Sequence, residues 1–97
     1  MLSRIKQVLR ISNTAFDIEI QDLIDAAIDD LRLSGVTEVD ETDPLIIRAV
    51  TTYVKANFGW NNPDSEKLNH SYSMLKMHLT LSQDYSPVEE EEEEGEE

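Results

Sequence analysis

Cysteine is absent from this chain of 97 residues. No disulfide framework, thiolate metal site or cysteine nucleophile is therefore available, and the pattern suits a reducing compartment or intracellular assembly. Long apolar runs are missing as well. The longest extend over only a few residues, so nothing is expected to span a membrane. No glycine-rich phosphate loop, HExxH sequence or nucleophile–base pair occurs. The chain reads as a non-enzyme that needs no cofactor. Positive charge is scarce, with 8 lysines and arginines against 21 acids and a net charge of −13. Without a clustered cationic patch there is little to release counterions from phosphates, so contact with DNA should be weak or repulsive.

The charge that is present is spread unevenly. Residues 1–16 carry +3, 17–43 carry −9, 44–85 carry +1, and the stretch after Tyr85 carries −8. This divides the chain into a domain over 1–85 and an acidic low-complexity tail over 86–97. The tail is expected to be disordered, because its glutamates repel one another and only Val88 could contribute to burial. The acid-free first sixteen residues, with Arg4, Lys6 and Arg10, share their composition with transit peptides. No small-residue cleavage site follows, so they are read as a short first helix. A domain this small buries only about two-thirds of its unfolded surface and is often completed by a partner or by its own copies.

Apolar spacing predicts an all-α fold, a compact bundle of about four helices: two long, one medium and one short. In "LSRIKQVLRIS" the residues Leu2, Ile5, Val8 and Leu9 share one side, with Ser3 available as N-cap. Asn13, Thr14 or Asp17 can cap the second helix, which runs to about Ser34. Its stripe is Ile20, Leu23, Ile24, Ala27, Ile28 and Leu31. Gly35 suits the left-handed position after it, and Val36 can fold back on Leu31 or its neighbours. Asp43-Pro44 starts a third helix, "PLIIRAVTTYVKANF", that Gly59 stops. Trp60 is expected to lock the following turn onto the core. Asn62 and Pro63 then open a fourth helix that reaches about Gln83, with Leu68, Tyr72, Leu75 and Leu79 inward. Neither an internal repeat nor a convincing strand is found.

Asp22, Asp25 and Asp29, at spacings of 3 and 4, share the wet face of the second helix, and Asp30 stands beside them. A hard cation needs oxygens converging from several directions, whereas one helix points its carboxylates outward and roughly parallel. A solvated face outweighs a metal site here. Like charges at i,i+4 cost a few tenths of a kcal/mol each, which leaves room for a third reading, in which a basic partner covers the face. On the fourth helix His70 and His78 flank Met74 and Met77. Eight residues separate the two imidazoles by about 12 Å along the axis, too far to share one ion, so no metal is expected. Met74, Met77 and Leu81 give this helix a second apolar side. In a domain with one core, that suggests a contact with another subunit, and scattered surface methionines are the plain alternative.

The ordered combination of "LIDAA", "YVKANFG" and "SYSMLKMHLTLS" resembles the small head–tail connector (adaptor, or DNA-packaging) proteins of tailed phages and prophages, over residues 1 to about 85. The resemblance implies an α-helical subunit that forms a ring, typically of twelve, beneath the portal protein. Such a ring extends the DNA channel and receives a downstream neck, stopper or tail protein. DNA passes through it without specific binding. The implied location is the neck of the virion, with the host cytoplasm during assembly. In this family the C-terminal segment commonly reaches toward the portal, and the polyglutamate composition here departs from the family pattern. The acidic face of Asp22, Asp25 and Asp29 then becomes a ring surface, either complementary to a basic neighbour or lining the DNA passage. The rival from another class is an acidic DNA mimic or inhibitor-type binding protein, monomeric or dimeric, whose carboxylates imitate phosphates. A generic helical module with a solubilising tail is the third reading.

Overall fold

The computed structural model describes residues 1–59 and 62–87. Within them the chain folds as α1 (Leu2–Leu9), α2 (Asp17–Leu33), α3 (Pro44–Asn57) and α4 (Ser65–Leu81), with no strand among the described residues. The fold is all-α, with the two long, one medium and one short helix that the periodicity implies. Trp60 and the polyglutamate stretch lie outside the described residues, and so do the expectations attached to them.

The third helix is the centre of the packing: α3 lies against each of the other three. Its sequence suits that place, since Ile46, Ala49, Val50 and Val54 are all completely buried. From α2 come Ile20, Ile24, Ala27, Ile28 and Leu31, so the expected stripe faces inward, with Leu23 half-buried at its edge. From α1 Ile5 is fully buried in the core, with Leu2 and Leu9 partly buried against it, and α4 contributes Tyr72 and Leu79. The interior is built mainly of branched aliphatic side chains, whose burial supplies most of the stabilisation of a small helical domain. Truncating one of the fully buried isoleucines to alanine would cost about 2–5 kcal/mol, from lost transfer energy plus the cavity left behind.

Helix ends follow local chemistry, with some departures from expectation. α2 closes as anticipated. The Gly35 amide donates to the Arg32 carbonyl at 3.0 Å and the Val36 amide to that of Leu31 at 2.9 Å, with Gly35 at φ 109°. That left-handed turn drops Val36 into the core. α3 opens as anticipated too: Asp43 Oδ1 accepts the Leu45 amide at 2.8 Å and Pro44 takes the first turn. Ser3 is not a cap. The first turn of α1 already opens at Met1, whose carbonyl accepts the Ile5 amide, so Ser3 lies inside the helix. α4 begins at Ser65, later than the Asn62-Pro63 signal implied. Asn62 Oδ1 accepts the Asp64 amide and its carbonyl the Ser65 amide, which makes residues 62–65 a turn with proline in its second position. Asn62 also donates to the Lys55 carbonyl at 2.8 Å, tying this turn to α3.

Two further ties link α1 to α2 and the chain after α4 to the α2–α3 loop. Lys6 Nζ lies 2.7 Å from Asp17 Oδ1, an ion pair that joins α1 to the start of α2. That oxygen is buried and has no hydrogen-bond donor otherwise, so the ammonium is its compensation. After α4 the chain folds back. The Tyr85 carbonyl accepts the amides of Thr37 and Glu38, and its hydroxyl donates to Asp43 Oδ2 at 2.9 Å. Ser86 Oγ donates to the Leu79 carbonyl at 2.9 Å. The segment through Ser86 is thus fastened to the α2–α3 loop and to the end of α4.

Candidate functional site

Of the four aspartates on the outer side of α2, one does not face solvent alone. Asp30 Oδ2 accepts a 2.6 Å hydrogen bond from the Tyr72 hydroxyl and a 2.9 Å charged bond from Lys76 Nζ. The Lys76 ammonium also stands 5.3 Å from the centroid of the Tyr72 ring. Partial burial pushes the Asp30 carboxyl up, but the bonds from Tyr72 and Lys76 outweigh it and hold the group below the usual carboxylate value. Burial, and then the carboxylate beside it, push the Tyr72 phenol well above its ordinary value. Tyr72 therefore remains a proton donor at any physiological pH. An edge-to-face contact with Tyr53, at 5.1 Å between centroids, holds the ring against α3. This is a structural clasp between α2 and α4. The partners are separated by 42 and 46 residues, which is why the pattern of aspartates on α2 does not reveal it.

The other three are placed as their spacing implies. Asp22, Asp25 and Asp29 are exposed, with Asp25 accepting a bond from Gln21 on the same helix. Asp25 and Asp29 border a shallow open depression with Ile28, Arg32 and Glu41. Among the described residues, no group of three histidines or acids is arranged to hold a metal ion.

On α4 the inward side is Tyr72 and Leu79, with Leu68 and Leu75 half-buried. The second apolar side is exposed: Met74 at 44%, Met77 at 52% and Leu81 at 78%. Met74 is part of a larger feature, an open groove of about 630 Å³ between α3 and α4 with Val8 at its edge. Its basic residues are Arg48 and Lys55 from α3 and His70 and His78 from α4. The two sets of expected surface residues thus lie on different helices, with Asp25 and Asp29 bordering one depression and Met74 another. The groove has no local signal in the sequence. Arg48 and Lys55 are seven residues apart and share a face of α3, but only the packing of α4 alongside turns that face into one wall of a groove.

No helix of the described residues is long and apolar enough to cross a membrane. Neither a curated protein nor a solved structure matches the chain. Residues 1–86 match the family described as phage connector protein, a span that takes in all four helices and ends at Ser86, where the chain is still hydrogen-bonded to the end of α4. By that match, with which its all-α architecture agrees, the chain belongs to the phage connector protein family, structural proteins of the virion's head–tail connection.

Proposed function

We propose that the protein is a head–tail connector subunit that assembles with its own copies into a ring, typically of twelve, under the portal protein. The ring extends the DNA channel and receives a downstream neck, stopper or tail protein. The observation that carries this reading is α4. It buries Tyr72 and Leu79 while leaving Met74, Met77 and Leu81 in solvent, and methionine is enriched at protein interfaces. A subunit contact through those three residues gives the second apolar side a function. Asp22, Asp25 and Asp29 form the acidic ring surface, either against a basic neighbour or toward the passage, where carboxylates let a polyphosphate chain slide without sticking. Residues 1–85 act as the assembling domain and 86–97 as a charged extension.

Light scattering of the purified protein, alone and with portal and neck proteins, tests the reading. A ring on the portal, or a multi-subunit species alone, is the expected result. A monomer or dimer that ignores the portal but binds a basic nucleic-acid enzyme would favour the acidic mimic instead.

A further inference from the structure

The exposed stripe of α2 is longer than its three aspartates. Ile18, Asp22, Asp25, Asp29 and Leu33 follow at spacings of 4, 3, 4 and 4, which keeps all five on one side of the helix. Every one of them is exposed, Ile18 at 79% and Leu33 at 87%. Single exposed apolar residues are ordinary. Here one sits at each end of an acidic row, on the same stripe, which makes an elongated surface that is apolar, then acidic, then apolar. The described residues of its own subunit do not cover it, because the opposite side of α2, with Ile24, Ala27 and Ile28, is the side that packs on the core.

The α3–α4 groove has the complementary character. In a chain with 21 acids, no acid lines it. Both histidines of the chain do, together with Arg48 and Lys55. The ion pairs among the described residues use Lys6 and Lys76, and neither Arg48 nor Lys55 pairs with an acid among those residues. Its apolar lining is Val8, Leu68, Met74 and Leu75. The pitch also agrees. Arg48 and Lys55 are seven residues apart on α3, Asp22 and Asp29 seven apart on α2, and two helical turns space each pair by about 10.5 Å.

We infer that the α2 stripe of one subunit docks into the α3–α4 groove of the next copy, with Asp22 and Asp29 opposite Arg48 and Lys55 and the apolar ends of the stripe on apolar parts of the groove and its rim. The inference rests on the ring reading above and specifies its contact. Stripe and groove are different surfaces of the same molecule, so their pairing is head-to-tail, the kind of contact that closes into a ring when the rotation allows. It also assigns the acidic face to a neighbour rather than to the DNA passage. A second copy fits better than a purely acidic segment such as the chain's own polyglutamate run. That run offers only Val88 to cover an apolar floor, whereas the stripe brings Ile18 and Leu33.

Charge reversal tests the pairing, with mass followed by light scattering at low salt, alone and with portal protein. All four positions are exposed, and circular dichroism checks that each variant keeps its helices. Arg48→Glu with Lys55→Glu places like charges across the contact, and so does Asp22→Lys with Asp29→Lys. Each pair should raise the concentration needed for assembly by at least about tenfold, an effect that salt weakens. All four substitutions in one chain should restore assembly, because every contact is again complementary. Double variants that assemble like the wild type, while Met77→Asp does not, would overturn the docking and leave the ring standing. Failure of the fourfold variant to recover would overturn the pairing as well. A groove variant that assembles normally but loses retention of duplex DNA would show the groove to be a nucleic-acid surface instead. A wild-type chain that stays monomeric even with portal would overturn ring and docking together.

Discussion

The Tyr72 hydroxyl of α4 donates a 2.6 Å hydrogen bond to Asp30 of α2, and Lys76, one turn further along α4, donates to the same oxygen at 2.9 Å. These helices otherwise meet chiefly through α3, so the clasp is a direct side-chain tie between them. A surface ion pair alone contributes little. The bond from a buried phenol to a carboxylate is the stronger part of this one.

Tyr72→Phe should therefore lower the unfolding free energy by about 1–2 kcal/mol at neutral pH, and Asp30→Asn by about 1 kcal/mol, since the carboxylate is partly screened by water. A double-mutant cycle by urea unfolding should show the two losses to be non-additive. The sign of the pH dependence follows from the direction of the Asp30 shift. Its carboxyl is held low in the folded state, so its stabilisation is complete above the ordinary aspartate value, about 3.9, and disappears as pH falls through the folded-state value. The gap between wild type and Asp30→Asn should be full at pH 7 and shrink toward zero well below pH 4. The Tyr72 phenol is shifted the opposite way, so its contribution is intact below about pH 10 and is lost only as the solution becomes more alkaline.

Arg10→Gly should stabilise the domain. Arg10 ends α1 at φ 62° and ψ 41°, with its amide donating to the Gln7 carbonyl and that of Ile11 to Lys6. A left-handed conformation costs a residue with a side chain about 1–2 kcal/mol, and glycine removes that cost while adding some unfolded-state entropy. The expected net gain is about 0.5–1 kcal/mol, read from the denaturant midpoint. A loss would mean that the arginine side chain makes a contact worth more than the strain.

Asp43 serves two neighbours with one carboxylate: Oδ1 caps the Leu45 amide and Oδ2 accepts the Tyr85 hydroxyl. The hydrogen bond to the carboxylate, with some desolvation, raises the Tyr85 phenol above its ordinary value. Asp43→Ala should cost at least about 1 kcal/mol from the cap alone. Tyr85→Phe should lower the thermal midpoint by a smaller amount while keeping helix content by circular dichroism.

How much of this was legible in the sequence depends on range. The stripe of α2, the Asp43-Pro44 start of α3 and the Gly35 stop of α2 are all encoded within a few residues, and each was readable. Local signals misplace the first turn of α1 and the start of α4, because Ser3 and Asn62 are good caps in the abstract. Met1 opens the helix sooner in one case, and a proline turn delays it in the other. The left-handed Arg10 carries no glycine to announce it. Asp30 looked like a fourth solvent-facing aspartate because its partners lie more than forty residues away, and the groove basic residues come from two helices. The exposed faces of the candidate site, Asp22, Asp25, Asp29 and Met74, Met77, Leu81, could be read from spacing. The groove beside them could not.

The extent of the domain predicts how truncations behave. Because Tyr85 and Ser86 are fastened by hydrogen bonds, deletion from Val88 onward spares those ties. It removes eight glutamates, takes the net charge from −13 to −5, and should leave stability within about 0.5 kcal/mol. Truncation after Gln83 should lower the thermal midpoint clearly. If deletion from Val88 destabilises the isolated subunit just as strongly, the glutamates pack on the domain. If it weakens portal binding at low salt only, they contact the portal by charge.

Assembly of Met77→Asp on the portal tests whether the outer side of α4 is a subunit contact. Met77 is half exposed on α4 and apart from the core, so the substitution should leave helix content and unfolding nearly unchanged. A carboxylate placed in an apolar subunit contact must lose its water without gaining a partner. The variant is therefore expected to remain a monomer by light scattering under conditions where the wild type forms a ring with portal protein present. Rings of wild-type mass and yield from Met77→Asp would show that this side of α4 lies outside the subunit contact.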